Sequence, residues 1–296
     1  MEPRATANAW KPEAARIRLG KIVYTNVWPV FYRFPPETLR GRVRMVTGTP
    51  AELNRSLGEG AIDAAAISSF AYAKHADRLL LLPDLSVSSR SAVGSLLLFT
   101  KLPLSERLPE RIALTNASAT TVNLLKILME KRYRHTPEYA DMPPDLHTMM
   151  EHCDAAMLIG DDAIRARLSD HPYFVSDLGL LWKEWTGIGM TFAVWAVRDE
   201  WAALNPGAVS LLHEALLSSK KEGLRFPADL LDQAVREIGG TETFWRNYFT
   251  NLVYDFGEEQ EKGLALYFSY AHEMGLLPQV PPLRVWRHHK LIRVNE

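Results

Sequence analysis

Residues 43–69 read VRMVTGTPAELNRSLGEGAIDAAAISS, and this stretch decides the fold class of the chain. The apolar run 43–46 predicts a strand. Thr49 and Glu52, with a proline after the threonine, predict the start of a helix, because this spacing forms a capping box. The apolar run 64–67 predicts a second strand. A strand, a helix and a strand in this order favour a parallel sheet with helices on its faces, which is an α/β fold.

Further apolar runs of strand length lie on both sides of this stretch, and the C-terminal third has the apolar spacing of helices. The predicted strands are 17–24, 93–100, 112–115, 155–159 and 191–197, and the predicted helices are 118–132, 227–238 and 258–274, with helical spacing also from residue 206 onward. Two α/β blocks joined by extended connectors predict two lobes with a cleft between them.

The order of these blocks predicts how the chain divides. We expect residues 16–100 and 199–275 to form the first lobe with the C-terminal helices, and residues 101–198 to form an inserted second lobe. The chain would then cross between the lobes near Lys101 and again near Arg198. Residues 276–296 contain three prolines and a basic run, which predicts a tail that is either strapped on or mobile.

The composition excludes several classes of protein. The chain has 296 residues, 47% of them hydrophobic, and a net charge of −1, so it is neither a disordered protein nor a basic nucleic-acid binder. Its one cysteine, Cys153, excludes a disulfide framework and a multi-cysteine metal site. The chain contains no run of 18 apolar residues, which a membrane-spanning helix would need. The polar first 16 residues lack the apolar run of a secretory signal, so we expect a cytoplasmic protein.

Candidate binding residues follow the predicted strands, since ligands of open parallel sheets bind beyond the carboxyl ends of the strands. Most of these residues are small and neutral and donate hydrogen bonds. They are Asn26, Thr49, Ser68, Ser69, Ser118, Thr120, Thr121, Gly160 and Asp161.

For most of these residues a structural role competes with ligand binding. Ser118 and Thr120 lie at a helix start, where the amides and the helix dipole favour an anion, but ordinary capping is the commoner role for such residues. Asp161 and Asp162 form either a paired carboxylate site or a helix cap with a first-turn charge. Ser95, within the predicted strand 93–100, is by default a core hydroxyl bonded to the backbone.

The sequence predicts neither a metal nor a cofactor. His147 and His152 lack the spacing of a zinc-binding helix, and His288 and His289 lie in the tail. The chain has no glycine-rich phosphate loop and no Gly-x-Ser-x-Gly elbow.

Six ordered motifs together carry a family resemblance. They are YTNVWP at 24–29, GTPAEL at 48–53, LPDLSV at 82–87, LIGDDA at 158–163, WKEWTG at 182–187 and FAVWA at 192–196. Between about residue 16 and about residue 275 the chain resembles the chorismate dehydratases of menaquinone biosynthesis (the MqnA family). One difference is Trp28, where many members carry leucine.

The resemblance implies a fold and an activity. The fold would be the two-lobed type II periplasmic-binding-protein fold. The activity would be removal of water from chorismate to give 3-[(1-carboxyvinyl)oxy]benzoate, the first step of the futalosine route. By motif, the catalytic asparagine and serine of the family correspond to Asn26 and Ser95.

The implied substrate suggests how the site would work. Chorismate is a dianion, which favours donors and helix N-termini, so Ser68, Ser69, the Ser118–Thr121 turn and the Gly160 backbone are expected to hold it. Because these motifs contain no histidine, we expect the enolpyruvyl carboxylate of the substrate to take the proton, with Glu184 as the alternative base.

Two rival functions stay open. One is a 1,4-dihydroxy-6-naphthoate synthase of the same pathway, whose family shares the fold but has a different first motif and relies on a histidine that no motif of this sequence places. The other is a non-enzymatic solute-binding protein, against which the missing signal segment argues. We expect chorismate as the small-molecule partner, no nucleic acid or membrane partner, and a monomer or a homodimer.

Overall fold

The computed structural model describes residues 16–115 and 118–287, and this part of the chain is α/β. Its strands are β1 Ile17–Ile22, β2 Val43–Gly48, β3 Ala64–Ser68, β4 Leu79–Ser89, β5 Leu96–Thr100, β6 Arg111–Leu114, β7 Glu138–Asp141, β8 Ala155–Ile159, β9 Phe174–Asp177, β10 Met190–Arg198 and β11 Leu252–Val253. Its helices are α1 Pro50–Gly58, α2 Ser69–Lys74, α3 Ala119–Ile127, α4 Leu146–His152, α5 Gly160–Leu168, α6 Leu178–Thr186, α7 Asp199–Leu204, α8 Pro206–Gly223, α9 Ala228–Ile238, α10 Glu242–Asn251 and α11 Glu258–Glu273.

The strands form two separate sheets, as the two predicted α/β blocks require. The six-stranded sheet has the order β11-β4-β10-β3-β1-β2, and the five-stranded sheet has the order β7-β6-β8-β5-β9. The predicted parallel pairing is present between β1, β2 and β3 and between β6, β7 and β8. Strands β4, β5, β9, β10 and β11 pair antiparallel, so both sheets are mixed.

The predicted boundaries between the lobes are wrong at both crossings. Strand β5, which we expected in the first lobe, lies in the five-stranded sheet between β8 and β9, and β10 lies in the six-stranded sheet between β3 and β4. The chain therefore crosses between the sheets at residues 90–95 and 187–189. Both strands are almost entirely buried apolar runs. Such a run is typical of a central strand, but it does not specify which of two sheets the strand enters.

The local sequence signals for helix starts were more specific than these apolar runs. The predicted capping box starts α1: the Thr49 amide donates to Glu52 Oε2 over 2.8 Å, and the Glu52 amide donates to Thr49 Oγ1 over 3.4 Å. The helix predicted over 118–132 begins at Ala119 and continues after Ile127 as a π-helical turn, Leu128–Arg132.

The first part of the predicted tail is hydrogen-bonded to the six-stranded sheet. Leu81 in β4 donates its amide to the carbonyl of Arg284 over 2.7 Å and accepts from the amide of Trp286 over 2.8 Å. Trp286 is 8% exposed, so its ring belongs to the core. His288 and His289 lie outside the described residues. No described helix is long and apolar enough to cross a membrane.

Candidate functional site

The two sheets contact each other where their parallel strands end. A 3-10 turn, Thr25–Val27, follows β1, and helix α5 follows β8. The carboxylate of Asp161 accepts hydrogen bonds from the Thr25 hydroxyl over 2.6 Å and from the Thr25 amide over 3.1 Å. Beside them, Tyr24 ring atoms lie 2.9–3.0 Å from the place where a Cβ on Gly160 would stand. These contacts bring Asn26 to the junction between the sheets.

Asn26 carries an unsatisfied polar atom at this junction. Its Oδ1 is buried and accepts no hydrogen bond from any residue in the described part of the chain. A buried acceptor without a partner costs about 1–3 kcal/mol, and such exceptions in a folded protein need an explanation. A donor on a bound ligand would satisfy this oxygen.

Ser95 lies at the same junction, although the sequence placed it inside a strand. Strand β5 begins one residue later, and its first residue, Leu96, pairs antiparallel with Ile159, the last residue of β8. The amino end of β5 therefore lies at the carboxyl end of β8. The Gly160 amide donates to the Ser95 carbonyl over 2.8 Å, and the side chain of Ser95 is buried.

Tyr248, which the sequence analysis did not single out, contacts Ser95. Its hydroxyl donates to Ser95 Oγ over 3.0 Å. Burial raises the pKa of Tyr248, and the neighbouring Ser95 and Thr25 act in the opposite direction. The phenol therefore stays protonated at neutral pH. Its sole sequence signal is a tyrosine among the aromatic residues of ETFWRNYFTN, residues 242–251, which is equally typical of core packing.

Ser68 and Ser69 both have structural partners. Ser68 caps α2 by accepting from the Ala71 amide over 3.3 Å, and it also accepts from the Asn54 side-chain amide over 3.2 Å. Ser69 donates to the carbonyl of Thr191 over 2.8 Å. The Ser68 hydroxyl keeps a proton to donate, whereas the Ser69 proton is used within the fold.

The helix start at Ser118 differs from that at Ser68. Ser118 makes no side-chain capping bond to α3, so capping does not explain this residue. Thr121 Oγ1 donates to Ser118 Oγ over 3.4 Å. Thr120 instead joins the two lobes, because its Oγ1 accepts from the Phe70 amide of α2 over 2.9 Å. The preceding residues, 116 and 117, lie outside the described part of the chain.

Asp161 and Asp162 do not form a paired carboxylate site, since they face different partners. Burial raises the pKa of Asp161, although the Thr25 hydrogen bonds oppose this shift. Asp162 lies 3.5 Å from Arg165. Within residues 16–115 and 118–287, no group of histidine, cysteine, aspartate and glutamate side chains is arranged to hold a metal ion.

Trp28, the residue that differs from the family pattern, lies on the α9 side of the turn. It lines a cavity of about 430 Å³ together with Lys21, Phe31 and Glu237. The Lys21 ammonium lies 5.5 Å from the centroid of the Phe31 ring.

Comparison with solved structures identifies the fold. The protein AF1704 from Archaeoglobus fulgidus superposes with a TM-score of 0.69 at 21% identity, covering 90% of this chain and all of that one. The periplasmic aliphatic sulphonate-binding protein SsuA from Escherichia coli superposes with a TM-score of 0.66 at 15% identity, covering 93% of both chains. At these identities the likeness shows the fold alone, which is that of the periplasmic binding proteins, as the sequence predicted.

Comparison of sequences identifies the family. A family model described as menaquinone biosynthesis matches residues 17–273. The chorismate dehydratase of Thermus thermophilus is 34% identical over 273 residues, which cover 87% of this chain and 95% of that protein. The six motifs, the fold and these two matches agree, and the chain belongs to the menaquinone biosynthesis family.

Proposed function

We propose that this chain is a chorismate dehydratase, a hydro-lyase that removes water from chorismate to give 3-[(1-carboxyvinyl)oxy]benzoate and so opens the futalosine route to menaquinone. The relative from Thermus thermophilus supports this activity. The observation in the molecule that carries the proposal is the unsatisfied Oδ1 of Asn26 at the junction between the sheets.

The unpaired acceptor of Asn26 suits the hydroxyl group that leaves the substrate. The chorismate dianion carries two carboxylates, which only accept hydrogen bonds, and one hydroxyl, which also donates. Asn26 Oδ1 would accept from that hydroxyl, while its amide would donate to a carboxylate. The side chain therefore holds the departing group and the substrate in one orientation.

Ser95 supplies a hydrogen-bond donor at the same junction as Asn26. Because Ser95 Oγ accepts from Tyr248 over 3.0 Å, its own proton is directed elsewhere and would stabilise the charge that develops on the departing oxygen. The first-turn amides of α3, which have no side-chain cap, would face a substrate carboxylate.

The substrate itself supplies the group that accepts the proton. The ring hydrogen next to the hydroxyl leaves as a proton to the enolpyruvyl carboxylate, and the hydroxyl leaves with the electrons of its bond to carbon. Together they make one water, and the ring becomes aromatic. Glu184 is the weaker candidate for a base, because it is half-exposed and its carboxylate is held by Arg132 at 2.9 Å.

The roles of two residues expected to bind substrate change. Asp161 is an anion whose carboxylate is occupied by Thr25, and the Gly160 amide is occupied by Ser95. We assign both to holding the junction together. Ser68, Ser118 and Thr121 keep their proposed contacts with the substrate, whereas Ser69 holds α2 on β10 and Thr120 holds α3 against α2.

Incubation with chorismate tests the activity. We expect the substrate mass to fall by one water and an absorbance of the benzoate product to appear. Asn26→Ala and Ser95→Ala should each lower turnover at least tenfold, and Glu184→Gln should not. Asn251→Ala, which changes an exposed asparagine, is the matched control. Full turnover in both site variants would refute the residue assignment.

The same experiment decides between the rival functions. Tight binding of chorismate without any mass change would favour a solute-binding protein. No binding, together with conversion of a cyclised futalosine derivative, would favour the naphthoate synthase. A cytoplasmic location and a monomeric or dimeric state remain predictions, which cell fractionation and light scattering would test.

A further inference from the structure

We propose that Tyr248 is a positioning residue for Ser95: its buried hydroxyl fixes the direction in which the Ser95 hydroxyl donates. The inference rests on the proposed dehydration. It adds a residue to the site that lies far along the chain from Ser95.

The backbone around Ser95 is held on both sides. Before it, the Gly94 amide donates to Asp177 Oδ2 over 2.6 Å. After it, the Ser95 carbonyl accepts from the Gly160 amide over 2.8 Å. With the backbone fixed, the rotation of the side chain and of its hydroxyl is the freedom that remains at this residue.

The Tyr248 hydroxyl removes that freedom. A serine hydroxyl has one proton and two lone pairs. Once Tyr248 donates to one lone pair over 3.0 Å, the Ser95 proton must point away from the phenol. A phenol is a better hydrogen-bond donor than an aliphatic hydroxyl because it is the stronger acid, which favours this direction of the hydrogen bond. Ser95 is thereby kept as a donor toward the space in which the substrate would lie.

The ring of Tyr248 is itself fixed by packing. It packs edge-to-face on Trp245, with ring centroids 5.5 Å apart, and lies 5.4 Å from the Phe249 centroid. Gly94 has a φ of +79°, and a Cβ built there would lie 3.2 Å from the Tyr248 ring. The ring therefore occupies the face of Gly94 that any side chain would need.

The same hydroxyl reaches the junction between the sheets. Thr25 and the charge of Asp161 both act on the pKa of Tyr248, and Thr25 donates its hydroxyl proton to Asp161 over 2.6 Å. Two buried hydrogen-bonded pairs, Tyr248 with Ser95 and Thr25 with Asp161, therefore lie close together. Since Asn26 follows Thr25 directly, each pair would hold one of the two proposed catalytic side chains.

A double-mutant cycle tests the role of Tyr248. Turnover of chorismate is measured for the wild type, Tyr248→Phe, Ser95→Ala and the double variant. We expect Tyr248→Phe to lower kcat about tenfold, the effect of one hydrogen bond, with KM changed less than about twofold. The double variant should be no slower than Ser95→Ala, because Tyr248 acts through Ser95. An unchanged kcat in Tyr248→Phe, or a further tenfold loss in the double variant, would overturn the inference.

Tyr254→Phe is the matched control. Tyr254 is also a buried tyrosine, but its hydroxyl has no hydrogen-bond partner within residues 16–115 and 118–287. Removing that hydroxyl should leave kcat within about twofold. An equal loss of kcat in both tyrosine variants would assign the effect to packing of the aromatic cluster and would overturn the inference.

A second pair of variants tests the neighbouring contact between Thr25 and Asp161. Thr25→Val removes the hydroxyl that joins Asp161, and Thr25→Ser keeps it. We expect a tenfold loss of kcat in the first and near-complete rescue in the second, whereas equal activity of the two would contradict a role for this contact in turnover. A wild type that leaves chorismate unchanged would refute the proposed function. An active wild type with an unaffected Tyr248→Phe would refute this inference alone.

Discussion

The Gly160 amide donates a hydrogen bond of 2.8 Å to the carbonyl of Ser95, and this bond fixes the end of β8 against the start of β5. Gly160 has a φ of +57°, a conformation that favours glycine. On its open side lies the ring of Tyr24 from the other sheet. One glycine thus combines a backbone conformation, a hydrogen bond and the contact between the sheets.

Replacing Gly160 with alanine should therefore be costly. We expect Gly160→Ala to lose about 2–4 kcal/mol of unfolding free energy, the sum of a left-handed backbone and an overpacked contact with Tyr24. Turnover should fall as well. Urea denaturation measures the stability. Gly187→Ala is the control, because Gly187 has a φ of +74° but no atom near its missing Cβ; it should lose only about 1–2 kcal/mol. Equal losses would contradict a role for the Tyr24 contact.

Thr120 provides a second contact between the sheets. Thr120→Val keeps the shape of the side chain but leaves the Phe70 amide, now bound over 2.9 Å, without its acceptor. We expect a loss of about 1–3 kcal/mol in unfolding free energy. Thr120→Ser retains the hydroxyl and should lose less than half as much. Indistinguishable denaturation curves for the two variants would show that the hydrogen bond contributes nothing.

His213 should make stability depend on pH. Burial lowers its pKa from the usual 6.5, and Nε2 lies 2.8 Å from the carbonyl oxygen of Pro83. The unfolded chain then binds a proton more readily than the folded one. Stability is fully present above pH 6.5 and falls below it, by at most about 1.4 kcal/mol per pH unit for one proton. The thermal midpoint, measured between pH 5 and pH 8, should decline toward acid in the wild type and less steeply in His213→Gln. Parallel profiles would contradict the assignment to His213.

The C-terminal segment that packs on β4 should stabilise the six-stranded sheet. Trp286 is 8% exposed, and its ring packs edge-to-face on His213, with centroids 5.7 Å apart. We expect Trp286→Ala to lose about 3–5 kcal/mol of unfolding free energy, the range for a buried aromatic side chain. Val280→Ala, in the same segment but 46% exposed, should change the denaturation midpoint little. A small effect of Trp286→Ala would mean that the segment is not part of the folded core.

Much of the site followed from local sequence. The strand ends and the capping box at Thr49 depend on neighbours within a few residues, and the family resemblance implied Asn26 and Ser95. The structural role of Asp161 could not be predicted, because its partner Thr25 lies in the other sheet. Tyr248 could not be predicted for the same reason: it is 153 residues from Ser95, and its sequence neighbours indicate only an aromatic core.

The position of β10 also determines the order in which the chain can fold during synthesis. This strand lies between β3 and β4, and it pairs Ala193 with Ser68 and Met190 with Ser89. Every strand of the five-stranded sheet lies between residues 96 and 177. The five-stranded sheet is therefore complete before β10 leaves the ribosome. At that point β3 and β4 still lack the strand that pairs with both of them. Pairings over such a separation slow folding, so the unpaired edges of β3 and β4 are where a nascent chain would be most exposed to aggregation and to chaperones.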